Sequence, residues 1–135
     1  MLNPSRKNCP VETTLDVIGG KWKGVIIYHL LSGTKRFNEL RRIYPQVTHH
    51  TLTLQLRDLE REGIIIRKTY NQVPPKVEYS LTEFGRTLEP IILLMKEWGD
   101  QYDARLNQSH QVAGNEADQQ AYKDTVMEEM EGNYC

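Results

Sequence analysis

Residues 36–82 run RFNELRRIYPQVTHHTLTLQLRDLEREGIIIRKTYNQVPPKVEYSLT, and their periodicities spell a short helix, a tight turn, a second helix and a two-stranded hairpin. The second helix has the clearest limits. Thr48 suits its N-cap, with a hydroxyl able to accept an orphan N–H from the first turn, and Val47 and Leu52 are spaced as a hydrophobic staple. Leu52, Leu56 and Leu59 follow on one stripe of a helical period and mark the buried face. Gly63 falls where a left-handed C′ residue belongs, with Leu59 and Ile64 as the apolar pair of a Schellman stop.

Turning about 100° per residue from Leu52 puts His50, Leu54, Arg57 and Arg61 on the outer face, with Thr51, Thr53 and Asp58 on its shoulders. The N-terminal half of the second helix of a helix-turn-helix reaches base edges in the major groove. Thr48, His49, His50, Thr51, Thr53 and Leu54 are therefore the candidate readers, with Arg57 close behind. Leu54 fits either contact with a thymine methyl or an ordinary isolated surface leucine.

Phe37, Leu40 and Ile43 recur at three-residue spacing ahead of the turn, with Glu39, Arg41 and Arg42 on the opposite side. Pro45 cannot continue that helix and biases Tyr44 out of the α region, so the two helices are separated by about four residues. Beyond Gly63, the run 64–70 is rich in β-branched residues, 71–75 breaks the chain, and 77–81 alternates apolar with polar. The predicted class is therefore mainly α with a small β-hairpin wing, a winged helix-turn-helix. Lys68 and Lys76 bracket the wing tip and, with Lys35 and Arg36, are the candidate phosphate contacts. A solvated surface hairpin accounts for the wing charges equally well.

The outer helices point to a second subunit. Residues 10–18 form one helix, Gly19-Gly20 the bend after it, and Thr82 caps another with Gly85 in its first turn; Pro90 then imposes a kink or a junction. The segment 91–95, IILLM, is apolar over more than half the circumference, and Trp98 and Tyr102 extend the stripe. A helix apolar nearly all round needs more than one core, so Ile91, Ile92, Leu94, Met95, Trp98 and Tyr102 are assigned to a homodimer interface.

The 135 residues carry a net charge of -1, which conceals a division: residues 1–100 hold 15 Lys+Arg against 11 Asp+Glu, and residues 101–135 hold 2 against 7. A basic domain precedes an acidic tail. We expect an N-terminal arm over 1–8, the winged domain with its dimerisation helices over 9–106, and a tail over 107–135 that is partly disordered, with a short helix at 121–130. That tail either competes with phosphate for the basic face or is simply solvated. No signal peptide or apolar run of membrane length is visible, and the cytoplasm is the expected compartment.

Several motifs together resemble the HxlR-type winged-helix regulators of bacteria, relatives of the MarR group. They are Cys9-Pro10-Val11, Gly19-Gly20-Lys21-Trp22, Arg36-Phe37 with Glu39-Leu40, Leu52-Thr53 through Leu56, Leu59-Glu60 and Gly63, Pro75 with Val77, Tyr79 and Leu81-Thr82, and Gly85 to Trp98. The resemblance covers roughly residues 9–102 and implies a homodimeric transcription factor on a palindromic operator of double-stranded DNA. Gln46 stands where the family often has glycine, and Leu54 where it commonly has a polar residue.

Cys9 precedes Pro10, a residue favoured at the first helical position, and so takes the N-cap. The helix dipole, Arg6 and Lys7 would acidify its thiol, against Glu12. In several HxlR-type regulators the matching cysteine senses electrophiles or oxidants, which makes Cys9 a candidate redox switch; a small residue filling a cap is the alternative. Cys135 is a possible resolving thiol, provided geometry brings the two together.

Enzymatic and metal chemistry find little support. The histidines are His29, His49, His50 and His110, and the adjacent pair diverges by about 100° on a helix, so no metal, cofactor or catalytic dyad is expected. The competing functions are a winged-helix protein-interaction module and a regulator that answers to a non-thiol ligand.

Overall fold

The computed structural model describes residues 9–109. Six helices and three strands follow in the order α1 (Pro10–Ile18), α2 (Lys23–Leu30), β1 (Lys35–Arg36), α3 (Phe37–Ile43), α4 (His49–Arg61), β2 (Ile65–Tyr70), β3 (Lys76–Leu81), α5 (Glu83–Arg86) and α6 (Glu89–Ser109). Residues 16–95 form one compact unit, and the described residues on either side of it belong to a second.

The core of the 16–95 unit collects Ile26, Ile27 and Leu30 of α2, Leu40 of α3 and the α4 stripe of Leu52, Leu56 and Leu59. Ile64, Ile65, Tyr79 and Leu81 close it from the sheet side. No polar side chain is buried among the described residues, so apolar burial dominates the stability of this unit.

Both ends of α4 are fixed by local chemistry. The Thr51 amide donates to the Thr48 hydroxyl at 3.0 Å. At the other end Gly63 adopts φ 75°, the Ile64 amide donates to the Leu59 carbonyl at 2.9 Å, and the Gly63 amide donates to the Glu60 carbonyl at 3.1 Å. These are the two bonds of a Schellman motif. α3 ends at Ile43 as Pro45 requires.

The wing is larger than the predicted hairpin. β1 adds a third strand, giving the order β1-β3-β2, with Lys35 opposite Tyr79 and Arg36 opposite Glu78. Two residues are too few to show a period of two, which is why sequence patterning passes over this strand. In the hairpin itself Arg67 lies opposite Tyr79 and Lys68 opposite Glu78. Alternation therefore puts Ile65, Arg67, Val77, Tyr79 and Leu81 on one face and Lys68, Tyr70, Lys76 and Glu78 on the other.

Thr82 caps α5, accepting from the Gly85 amide at 2.8 Å and donating to the Gly63 carbonyl at 2.6 Å. A Cβ at Gly85 would run into the Ile64 carbonyl oxygen, so only glycine fits there. Pro90 starts a new helix rather than kinking one: it stands second in α6, after the break at Thr87 and Leu88.

α6 also corrects two expectations. Ile92, assigned to the interface, is 4% exposed and part of the core. The helix continues through Asn107, Gln108 and Ser109, past the boundary expected at Leu106. The arm at 1–8 and the segment 110–135, including Cys135 and the expected 121–130 helix, lie outside the described residues. No described helix is long and apolar enough to cross a membrane.

Candidate nucleic-acid interface

α4 presents its outward residues much as its periodicity requires, but hydrogen bonding divides them. His50, Leu54 and Arg57 are exposed, Leu54 at 43%. The threonines are engaged locally: the Thr48 hydroxyl donates to Thr51 Oγ1 at 2.9 Å, and the Thr53 hydroxyl donates to the His49 carbonyl at 2.8 Å. The Thr48 and Thr53 protons support the first turns of the helix, and the Thr48 oxygen also accepts from the Thr51 amide at 3.0 Å. His49 packs its ring against Phe37, centroids 4.5 Å apart.

The two arginines of α4 also differ. Arg61 donates to Asp58 at 3.2 Å, and Asp58 is 3.7 Å from Lys23 of α2. Arg57 takes part in no ion pair within 4 Å among the described residues. Of the two, Arg57 is the guanidinium available to a partner.

On the outer face of the wing, Lys76 Nζ sits 2.9 Å from Glu78 Oε1, and the Tyr70 hydroxyl donates to Glu78 Oε2 at 3.1 Å. Hydrogen bonding from Lys76 holds the Glu78 carboxyl below its ordinary value, aided by Tyr70 and by the charges of Lys76 and Arg36, against a smaller opposing effect of burial. Lys68 and Lys76 lie 5.0 and 4.8 Å from the centre of the Tyr70 ring. Lys76 is thus already paired, because alternation along β3 puts it on the same face as Glu78, two residues on. Lys68 has no carboxylate within 4 Å among the described residues. Arg36 is exposed and Lys35 half-buried at the start of α3, where the Arg36 amide donates to Glu39 at 3.2 Å.

Behind this surface the helix-turn-helix is fastened to α2. His29 Nε2 and the Tyr44 hydroxyl are 3.3 Å apart, and Trp22 meets the Tyr44 ring edge-on at 5.6 Å. Burial, and then the nearby charge of Lys35, lower the His29 pKa, so the neutral imidazole is favoured.

The profile of the HxlR-like helix-turn-helix family matches residues 17–107. The chain belongs to that family. It is 67% identical over 101 residues to the HTH-type transcriptional regulator YdeP of Bacillus subtilis (strain 168), an alignment covering 75% of this chain and 79% of YdeP. Among solved structures it is similar to the redox regulator HypR. The reduced form shares 66% identity over 74% of this chain and 99% of HypR, TM-score 0.71; the oxidised form shares 71% over 69% and 96%, TM-score 0.67. This HxlR-type protein is accordingly a DNA-binding transcriptional regulator built on a winged helix-turn-helix.

The remaining site residues of the HxlR-type chain divide by exposure. Ile91 and Met95 are exposed, as are Leu94 at 64%, Trp98 at 62% and Tyr102, with Trp98 stacked on Tyr102 at 5.4 Å. Leu93 and Leu106, which sequence reasoning left out, are exposed on the same helix, as are Val11 and Leu15 on α1. Cys9 is half-buried at the N-cap of α1, its carbonyl accepting from the Glu12 amide at 2.8 Å.

One functional candidate was missed altogether. Arg67 leaves the sheet on the Tyr79 side and lines a cleft of about 370 Å³ between α4 and the sheet, together with Arg57. The signal that finds it is the alternation from Ile65, since an inward Ile65 carries Arg67 to the same face.

Proposed function

We propose that the protein acts as a homodimer on a palindromic operator, and that oxidation or alkylation of Cys9 switches its affinity for DNA. The observation that carries the DNA part is the unpaired Arg57 on the exposed face of a doubly capped α4, beside a three-stranded basic wing. His50, Leu54 and Arg57 read base edges; the hydroxyl oxygens of Thr48, Thr51 and Thr53, and the edge of His49, accept or donate beside them. Lys35, Arg36 and Lys68 contact phosphate, with Lys76 secondary.

The dimer is supported by the exposed apolar residues of α6, Ile91, Leu94, Met95, Trp98 and Tyr102, which leave a large surface in water unless a second copy covers it. Paired recognition helices then stand about 34 Å apart, one turn of DNA. The switch is supported by the position of Cys9 at a helix N-cap and by similarity to a regulator solved in both reduced and oxidised forms. The molecule acts by binding rather than by catalysis, in the cytoplasm.

Selection of bound duplexes from a random pool, with and without diamide, tests these points together. The expected product is a palindrome with half-sites about ten base pairs apart, lost or altered on oxidation of the wild type and unaffected in Cys9→Ser. Arg57→Ala relaxes the selected sequence while retaining general affinity. Pools without dyad symmetry refute the dimeric reading, and undiminished diamide sensitivity in Cys9→Ser refutes the switch.

A further inference from the structure

We propose that the acidic segment 110–135 docks on the outer face of the wing and there competes with DNA for Arg36 and Lys68. The docking stands on the chemistry of the wing itself; the competition rests on the DNA-binding function given above.

Strand register defines the receiving face. Arg36 of β1 and Lys68 of β2 both lie opposite Glu78 of β3, and residues directly opposite one another share a face of the sheet. The row reads cation, carboxylate, cation, with the outer two strands about 10 Å apart. Glu78 is already engaged, 2.9 Å from Lys76 and accepting from Tyr70 at 3.1 Å. Neither Arg36 nor Lys68 has an ion pair within 4 Å among the described residues. Ile66 precedes Lys68 by two positions on β2, so it projects to the same face, and it is 52% exposed. The face therefore offers surplus positive charge beside an uncovered isoleucine.

This combination selects its occupant. A phosphate would use the cations and leave Ile66 in water, and an apolar peptide would cover Ile66 and leave the cations unmatched. A segment that mixes carboxylates with adaptable apolar side chains uses both. The chain carries one: residues 124–131 read DTVMEEME, with Asp124, Glu128, Glu129 and Glu131 set among Val126, Met127 and Met130 and no base between them. The family profile ends at residue 107, so this segment is additional to the winged domain. Beyond Ser109 the chain to residue 135 can extend on the order of 90 Å, against a radius of gyration of about 13 Å for a hundred-residue domain. Being joined to the protein, it meets the wing at an effective concentration of about 1 mM, so an intrinsic Kd of about 1 mM fills the face half the time. DNA and the segment draw on the same two cations, and occupation by one excludes the other.

The test uses the full-length protein with its thiols kept reduced. A carbodiimide, which joins an amine to a carboxylate in direct contact, is applied at low salt and the linked peptides are identified by mass spectrometry. Lys68 should be joined to Glu128, Glu129 or Glu131, and the yield should fall by about half or more in Ile66→Ser. Ile66 is exposed, so this variant should fold. Links spread evenly over Lys21, Lys35 and Lys68 overturn the docking, as does a Lys68 yield unchanged in Ile66→Ser. Fluorescence anisotropy on a selected duplex reads the competition. The triple variant Glu128→Gln, Glu129→Gln, Glu131→Gln should bind about twofold tighter than wild type at low salt, and the difference should vanish by about 300 mM salt, where exposed charges are screened. Equal affinities at low salt refute the competition alone. If no duplex is bound, the DNA-binding function fails and the cross-links still decide the docking.

Discussion

The pairing of Lys76 with Glu78 leads to a prediction opposite to the one its charge suggests: Glu78→Gln should strengthen DNA binding at low salt and make it more salt-sensitive. Lys76 Nζ is 2.9 Å from Glu78 Oε1, with side chains only 26% and 21% exposed, so the lysine is already compensated before DNA arrives. Each cation that neutralises a phosphate contributes about 0.9 to the slope of log K against log salt. If the proposed dimer engages Lys35, Arg36 and Lys68 of both subunits, the wild-type slope should be about -5. Glutamine keeps the shape of Glu78 and an oxygen for the Tyr70 hydroxyl, but releases Lys76 in each subunit and moves the slope to about -7. Between 50 and 200 mM salt, affinity should then fall by an extra factor of about 12 in the variant. Fluorescence anisotropy on a selected operator across a potassium chloride series measures both slopes. An unchanged slope in Glu78→Gln, with Lys76→Ala flattening the wild-type slope by about 2, would show that Lys76 leaves Glu78 for phosphate and that the static pairing misleads.

Gly85→Ala should lower stability by about 3 kcal/mol, since the new Cβ meets the Ile64 carbonyl oxygen; an unshifted urea midpoint would contradict this. Leu94→Glu, at a position 64% exposed, should leave the fold intact and shift sedimentation toward the monomer, whereas an unchanged dimer would exclude that face. For His29 the folded state favours the neutral ring, so its pKa lies below the ordinary 6.5. Its stabilising contribution is complete above that ordinary value and is lost as pH falls through the folded-state value. Wild type should therefore lose more stability than His29→Asn between pH 7.5 and pH 5, and equal losses in urea titrations would show that the imidazole is not responsible.

Features set by neighbours three to five residues away were legible in the sequence. Thr48 caps α4 through the Thr51 amide, Gly63 ends it with its own amide bonded to Glu60 and that of Ile64 to Leu59, and Thr82 caps α5 through the Gly85 amide. Such bonds depend on local spacing, which a sequence displays directly. Ile92 was misassigned because periodicity describes an apolar circumference without saying which part meets the core and which a partner. Lys76 and Arg67 are different: alternation along a strand puts Glu78 beside Lys76 and carries Arg67 to the Ile65 face, but that Tyr70 and the α4 cleft meet them depends on how β2 pairs with β3. A slip of one residue in that register would turn one strand over relative to the other, leaving Lys76 beside Glu78 on β3 but carrying Tyr70 away from both and Arg67 away from the cleft.

Counting basic residues therefore describes this surface less well than counting the unpaired ones. Along α4 and the wing, internal carboxylates subtract Arg61, bonded to Asp58, and Lys76, bonded to Glu78, while Lys23 is drawn to Asp58 from α2. Lys35, Arg36, Arg57, Arg67 and Lys68 remain uncompensated within 4 Å among the described residues. A paired surface cation must give up an existing partner to meet a phosphate, and the net gain is small because such pairs are themselves worth little in water. An unpaired one exchanges only water and counterions, which is the favourable term in binding DNA. The carboxylates thus confine the strongest anion attraction to the middle of α4 and the two faces of the wing, away from the C-terminal turn of the recognition helix.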